Sequence, residues 1–97
     1  MARKLSESAI EKKVCKHAEK LGWQVRKVTC PGRRGFPDRL FYRNAHVFFI
    51  EFKAPGKKPR KNQLREIESL RQQRIACFVV DDIEQGIDIL EWLELKK

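Results

Sequence analysis

Scarce cysteine and histidine narrow what this chain can be. Its 97 residues hold three cysteines, Cys15, Cys30 and Cys77, and two histidines, His17 and His46. An odd cysteine set without a C-x-x-C pair encodes neither a disulfide framework nor a zinc knuckle, so buried or incidental thiols in a reducing compartment are expected. No apolar run approaches the ~20 residues that a membrane helix needs. Met1-Ala2-Arg3-Lys4 leads into no signal-like stretch. These absences predict a cytoplasmic, intracellular protein with no membrane partner. Negative charge is also scarce through most of the chain: residues 1 to 74 carry 20 Lys/Arg against 7 Asp/Glu, whereas residues 75 to 97 carry 2 against 6. The formal net charge is +9. A regional cationic field of this kind attracts phosphate backbones through Coulomb steering and counterion release, so nucleic acid is the expected partner rather than a small molecule.

With 41% hydrophobic and 36% charged residues, the chain has the composition of one globular domain, expected to span residues 1–97. Ser8-Ala9-Ile10-Glu11 reads as a capping box, and Ile10, Val14, Ala18 and Leu21 continue one apolar stripe, predicting an amphipathic helix that ends near Gly22. Residues 23–28 read as a strand. Residues 29–37, with two Pro, two Gly and two Arg, read as a basic loop. Asp38 to Tyr42 and His46 to Lys53 read as the two strands of a hairpin turning at Asn44-Ala45. Phe48, Ile50 and Phe52 then face one way and Val47, Phe49, Glu51 and Lys53 the other, as in a buried central strand. Asn62 is placed to cap a helix through Leu64, Ile67 and Leu70 to about Gln73. Ile75 to Val80 reads as a strand. Asp81-Asp82-Ile83-Glu84 opens a last helix, in which Gly86 is a mild weakness. Trp23 and Trp92 are expected in the core. The predicted order α-β-β-β-α-β-α gives an α/β fold, a mixed sheet flanked by helices whose last strand enters through a helical crossover.

The hairpin register makes paired residue numbers sum to 89, which sets Asp38 across from Glu51. Directly opposed carboxylates, with Cα atoms about 4.5–5.5 Å apart, repel unless a cation lies between them. Lys53 shares the Glu51 face two residues on. Hard oxygen donors without His or Cys suit Mg²⁺ or Mn²⁺, which keep several waters and engage phosphate oxygens. This is the ion chemistry of phosphodiester cleavage, in which Lys53 would position the attacking water or stabilise the transition state.

Gly35-Phe36-Pro37-Asp38, Glu51-Phe52-Lys53-Ala54-Pro55-Gly56 and Lys57-Lys58-Pro59-Arg60 resemble the PD-(D/E)xK nuclease superfamily and, within it, the VRR-NUC group. The resemblance covers nearly the whole chain and implies a restriction-endonuclease-like core. It implies that Asp38 and Glu51 bind metal, that the Phe52 carbonyl joins them, and that Lys53 is catalytic. It also implies an acidic residue on the first helix. Glu11 is the choice, since Ser8-Ala9-Ile10-Glu11 also looks like the first motif of archaeal Holliday junction resolvases, with Glu7 one turn earlier as the alternative. Gln63 matches a family glutamine that can reach substrate or bound water. Arg33, Arg34, Lys57, Lys58, Arg60 and Lys61 flank the site in sequence and are candidate DNA-backbone contacts. By analogy with stand-alone phage-type or bacterial members, the expected activity is a DNA endonuclease selective for branched or four-way junction structures, acting as a homodimer. The rival readings are a restriction-type or exonucleolytic DNA nuclease and a non-catalytic DNA-binding module.

Overall fold

The structure, a computed structural model, describes residues 5–96. The leader expectation drawn from Met1 to Lys4 lies outside the described residues. The elements run α1 (Glu7–Lys20), β1 (Gln24–Lys27), β2 (Arg39–Arg43), β3 (His46–Phe52), α2 (Lys61–Gln72), β4 (Ala76–Val80) and α3 (Ile83–Leu95), the predicted order. The four strands form one sheet in the order β1-β2-β3-β4. The β1–β2 and β2–β3 pairs are antiparallel and the β3–β4 pair is parallel, so the sheet is mixed and α2 is the crossover.

β3 is central because both of its faces are apolar. Phe48, Ile50 and Phe52 join Ile10, Val14 and Ala18 of α1, Leu90 of α3, Trp23, Phe41 and Val80 in one core cluster. Phe49 joins Ile67 and Leu70 of α2 and Cys77 in a second cluster on the opposite face. Each exclusion of a large side chain from water stabilises by about 1.5–3 kcal/mol, so a strand buried on both sides anchors the sheet. The hairpin turns where expected: Asn44 (φ 47°) and Ala45 (φ 69°) are both left-handed, the conformation of a two-residue turn whose twist matches the flanking strands.

Several local expectations are corrected. The α1 cap is Ser6, whose hydroxyl accepts from the Ala9 N–H at 3.1 Å, so Ser8 and Glu11 form no capping box and the Glu11 side chain is released for tertiary contacts. α2 begins before Asn62, at Lys61, because the Gln63 side chain reaches back and its Oε1 accepts from the Arg60 N–H at 2.8 Å. Leu64, predicted on the buried stripe, is 47% exposed, since the second cluster is filled by Ile67 and Leu70. Trp92 is 50% exposed, with the Lys96 ammonium 5.1 Å from its ring centre. Trp23 is buried as expected. Gly86 is no weakness. It sits where α3 presses on α1, and a Cβ there would lie 2.6 Å from Val14 Cγ2, so only glycine allows the approach.

Candidate active site

The register of β2 and β3 carries the site. Arg39 pairs with Ile50 and Leu40 with Phe49, which makes Asp38, one residue ahead of β2, the next position opposite Glu51. The Asp38 carbonyl also accepts from the Val28 N–H at 2.8 Å, extending the pairing to β1. Among the described residues the Asp38 carboxylate has no hydrogen-bonding partner, and it is partly exposed. Glu51 is the buried charged side chain of the core, 7% exposed. Burial pushes its carboxyl up to about 7; the Lys53 ammonium opposes this, and the Asp38 charge adds to it.

Gln63 ties the set together. Its Oε1 accepts from Lys53 Nζ at 2.7 Å, and its Nε2 donates to Glu51 Oε2 at 3.2 Å. Lys53 Nζ lies 3.6 Å from Glu51 Oε2. Both ends of the amide are therefore occupied by protein groups, and Oε1 additionally receives the Arg60 N–H. The glutamine that starts α2 thus fixes the ammonium beside the carboxylate and caps its own helix with the same side chain. The loop before β2 is seated on this same helix turn. Gly35 (φ +91°) approaches the Asn62–Gln63 backbone so closely that a Cβ would meet it at 2.7 Å, and Phe36 packs edge-on against Phe49 with ring centres 5.3 Å apart. Asp38 and Gln63, far apart in sequence, are thereby locked to one another through the backbone.

The first-helix carboxylates diverge. Glu11 is held by Arg39, whose Nε donates to Glu11 Oε1 at 3.0 Å and whose Nη2 makes a second contact. Glu7, exposed at the start of α1, is the helix carboxylate whose charge raises the Glu51 carboxyl. Arg39 was not anticipated from the sequence. Its signal was available only through the alternation of β2, which turns it away from Asp38 and Glu51 and toward α1.

The basic candidates divide into two groups. Arg33 and Arg34 line a cavity of about 220 Å³ together with Asn62, Arg65 and Glu66, so the 29–37 loop and α2 form one basic surface, to which Arg65 is an addition. Arg33 lies 3.8 Å from Glu66, a loose contact on a largely exposed side chain. Lys57, Lys58, Arg60 and Lys61 are exposed on the segment entering α2. That segment turns at Gly56 (φ +79°), where the Lys57 N–H bonds to the Ala54 carbonyl and the Gly56 N–H bonds to Asp81. Burial pushes the Cys15 thiol up to about 12 and the Cys77 thiol to about 11, which suppresses their reactive thiolates at neutral pH.

The donor set fits a hard divalent cation. Two carboxylates share one face, one of them desolvated and further raised by its neighbour, and a cation is the group that relieves both conditions. Among the described residues no group of three or more His, Cys, Asp or Glu side chains is placed to hold a metal ion, so Asp38 and Glu51 are a two-carboxylate set.

An αβββαβα chain with Asp, Glu-x-Lys and a helix-start glutamine gathered at one end of its mixed sheet has the layout of the PD-(D/E)xK nuclease class. Comparison with known proteins agrees. No family model matches the chain. A curated relative, "Putative nuclease p44" of Acyrthosiphon pisum secondary endosymbiont phage 1, is 46% identical over 65 residues, which cover 66% of this chain and 70% of the relative. A solved structure described as "VRR_NUC domain" superposes with a TM-score of 0.82 at 32% identity, covering 90% of this chain and 97% of that one. A second, described as "VRR_NUC domain protein", has a TM-score of 0.74 at 18% identity over 92% and 88% of the two chains, and bears on the fold alone. The chain belongs to the VRR-NUC family of nucleases.

Proposed function

We propose that this chain is a single-domain, divalent-metal-dependent endonuclease that hydrolyses DNA phosphodiester bonds, selects branched or four-way junction structures, and works as a homodimer in the cytoplasm. The observation that carries the reading is the Lys53–Gln63–Glu51 hydrogen-bonded set with Asp38 across the strand pair. Asp38, Glu51 and the Phe52 carbonyl would hold Mg²⁺ or Mn²⁺, with Glu7 or Glu11 as the first-helix carboxylate. The bound ion would supply charge neutralisation at the scissile phosphate and a more acidic water.

The chain's own groups do the rest. Gln63 fixes the rotamer of Lys53, so the ammonium stands ready for the charge that develops on the phosphoryl oxygens and costs little reorganisation when it does. Glu51, held by the Gln63 amide, keeps its second oxygen available. The basic loop and α2 surface around Arg33, Arg34, Lys57, Lys58, Arg60 and Lys61 would grip the sugar-phosphate backbone, which carries no base code, and so favour recognition by DNA shape. Two-fold symmetry would set two sites against two strands of a junction.

The test is cleavage of a labelled four-way junction beside matching linear duplex and single-stranded DNA, in Mg²⁺, Mn²⁺ or EDTA. Wild type is expected to make paired cuts in the junction that EDTA abolishes. Lys53→Ala should lower the rate by about 10²–10³ while DNA binding in EDTA persists. Cleavage of other forms would keep the nuclease and discard the junction preference; binding without any cleavage would favour a non-catalytic module.

A further inference from the structure

Helix α1 carries a cationic face that the active site does not use. Lys12, Lys13, Lys16 and Lys20 are all exposed, and at 100° per residue they fall within an arc of about 100°. The arc lies opposite the buried stripe of Ile10, Val14 and Ala18. Lys12, Lys16 and Lys20 repeat every four residues, about 6 Å apart along the axis. Arg39, Arg43, Lys53 and Arg71 have carboxylate partners: Glu11, Glu94, Glu51 and Glu68 in turn. Among the described residues, none of these four lysines has one. Glu19 borders the arc without bonding any of them, and His17 turns aside to Glu91 at 2.9 Å. Like charges at helical i, i+4 spacing destabilise, so a face built of them fits a polyanion that would neutralise it. Clefts of about 210 and 300 Å³ open along it, lined by Lys13, Lys16, Lys20, Ile83 and Ile87 in one case and by Ala9, Lys12, Lys13 and Lys16 in the other.

The position of this face bears on its partner. α1 and α3 cover one face of the sheet and α2 the other, so the α1 lysines and the loop–α2 basic surface are separated by the full three-layer thickness, about 20 Å. The candidate site lies between them, at the sheet end where Glu7 acts on Glu51 and Glu11 holds Arg39. A straight duplex engaged on the α2 face would leave the outer side of α1, on the opposite face of the sheet, uncovered. Two arms diverging from a branch point at the site would meet both. We infer that the lysine face of α1 binds the phosphate backbone of a second DNA arm, the one not presented for cleavage. This rests on the nuclease reading above and specifies how a branched substrate is told from a linear one.

The experiment replaces the four lysines together, Lys12→Gln, Lys13→Gln, Lys16→Gln and Lys20→Gln, in the full chain. Binding to a four-way junction and to a matching linear duplex is measured in EDTA by fluorescence anisotropy across a salt series. Junction affinity is expected to fall at least tenfold, with the slope of log K against log salt reduced by up to about 3.6, near 0.9 for each of the four phosphates no longer neutralised. Linear-duplex affinity should change less than threefold. A control carrying Lys57→Gln and Lys58→Gln should weaken both substrates. Thermal melting of the quadruple variant at or above wild type shows that the fold is kept. Equal loss on junction and duplex would overturn the second-arm assignment, as would no loss on either. Loss of binding to anionic lipid vesicles with junction binding intact would overturn it in favour of a membrane surface. Because binding is read without catalysis, a wild type that cuts no DNA would remove the nuclease reading and leave this outcome separately visible.

Discussion

Glu51 sits where a carboxylate is expensive. It is 7% exposed, its neighbours on the strand are Ile50 and Phe52, and its compensation is the Gln63 amide N–H at 3.2 Å and the Lys53 ammonium at 3.6 Å. Burial therefore pushes the carboxyl up to about 7 from an ordinary value of 4.5. Below pH 4.5 the group is protonated in both folded and unfolded chains and costs nothing. As pH rises toward 7 the unfolded chain ionises first, so folding loses stability, by up to about 3 kcal/mol once pH exceeds 7. In EDTA, Glu51→Gln is expected to be more stable than wild type at pH 8, with the advantage vanishing by pH 4; urea denaturation at several pH values measures it. A pH-independent difference would mean that the carboxylate is solvated. The same residue that destabilises the metal-free protein is the one the proposed chemistry needs, which is the usual relation between a site and its scaffold.

The elements owe their placement to close approaches as much as to apolar stripes. Gly35 lets the basic loop lie on the first turn of α2, and Gly86 lets α3 lie on α1. In isolation, glycine to alanine in a helix gains about 1 kcal/mol. Here the added Cβ would be 2.6 Å from a fully buried Val14, and overpacking of that kind costs about 1–3 kcal/mol. Gly86→Ala should therefore lower stability despite the better propensity, and combining it with Val14→Ala should cost less than the two changes added, as read from a double-mutant cycle in urea. Additive costs would show that the two helices do not meet there. Sequence patterning predicted the glycine as a weakness because periodicity describes a helix by itself, whereas the contact belongs to two helices.

At the scale of the whole molecule, charge is sorted by segment. The excess of basic residues lies in 1–74, and six of the thirteen acidic residues lie in 75–97, most of them on α3. If the chain grips DNA by its backbone, raising salt from about 50 to 200 mM should weaken binding by on the order of 10³ or more for six phosphate contacts, a slope measurable by anisotropy; a flat response would remove the electrostatic reading. The sequence by itself determined the element order, the hairpin register and the placement of Asp38 opposite Glu51, because alternation and turn chemistry are local and a two-residue turn counts residues across strands. It also marked Gln63 and the basic runs, though not what they touch. Only the tertiary structure decided that Gln63 bonds both Lys53 and Glu51, that Arg39 claims Glu11 while Glu7 acts on Glu51, and that the lysines of α1 stand on the far side of the sheet from the basic loop. Those are relations between elements distant in sequence, fixed by which face of the sheet each helix covers, and no spacing within one segment encodes them.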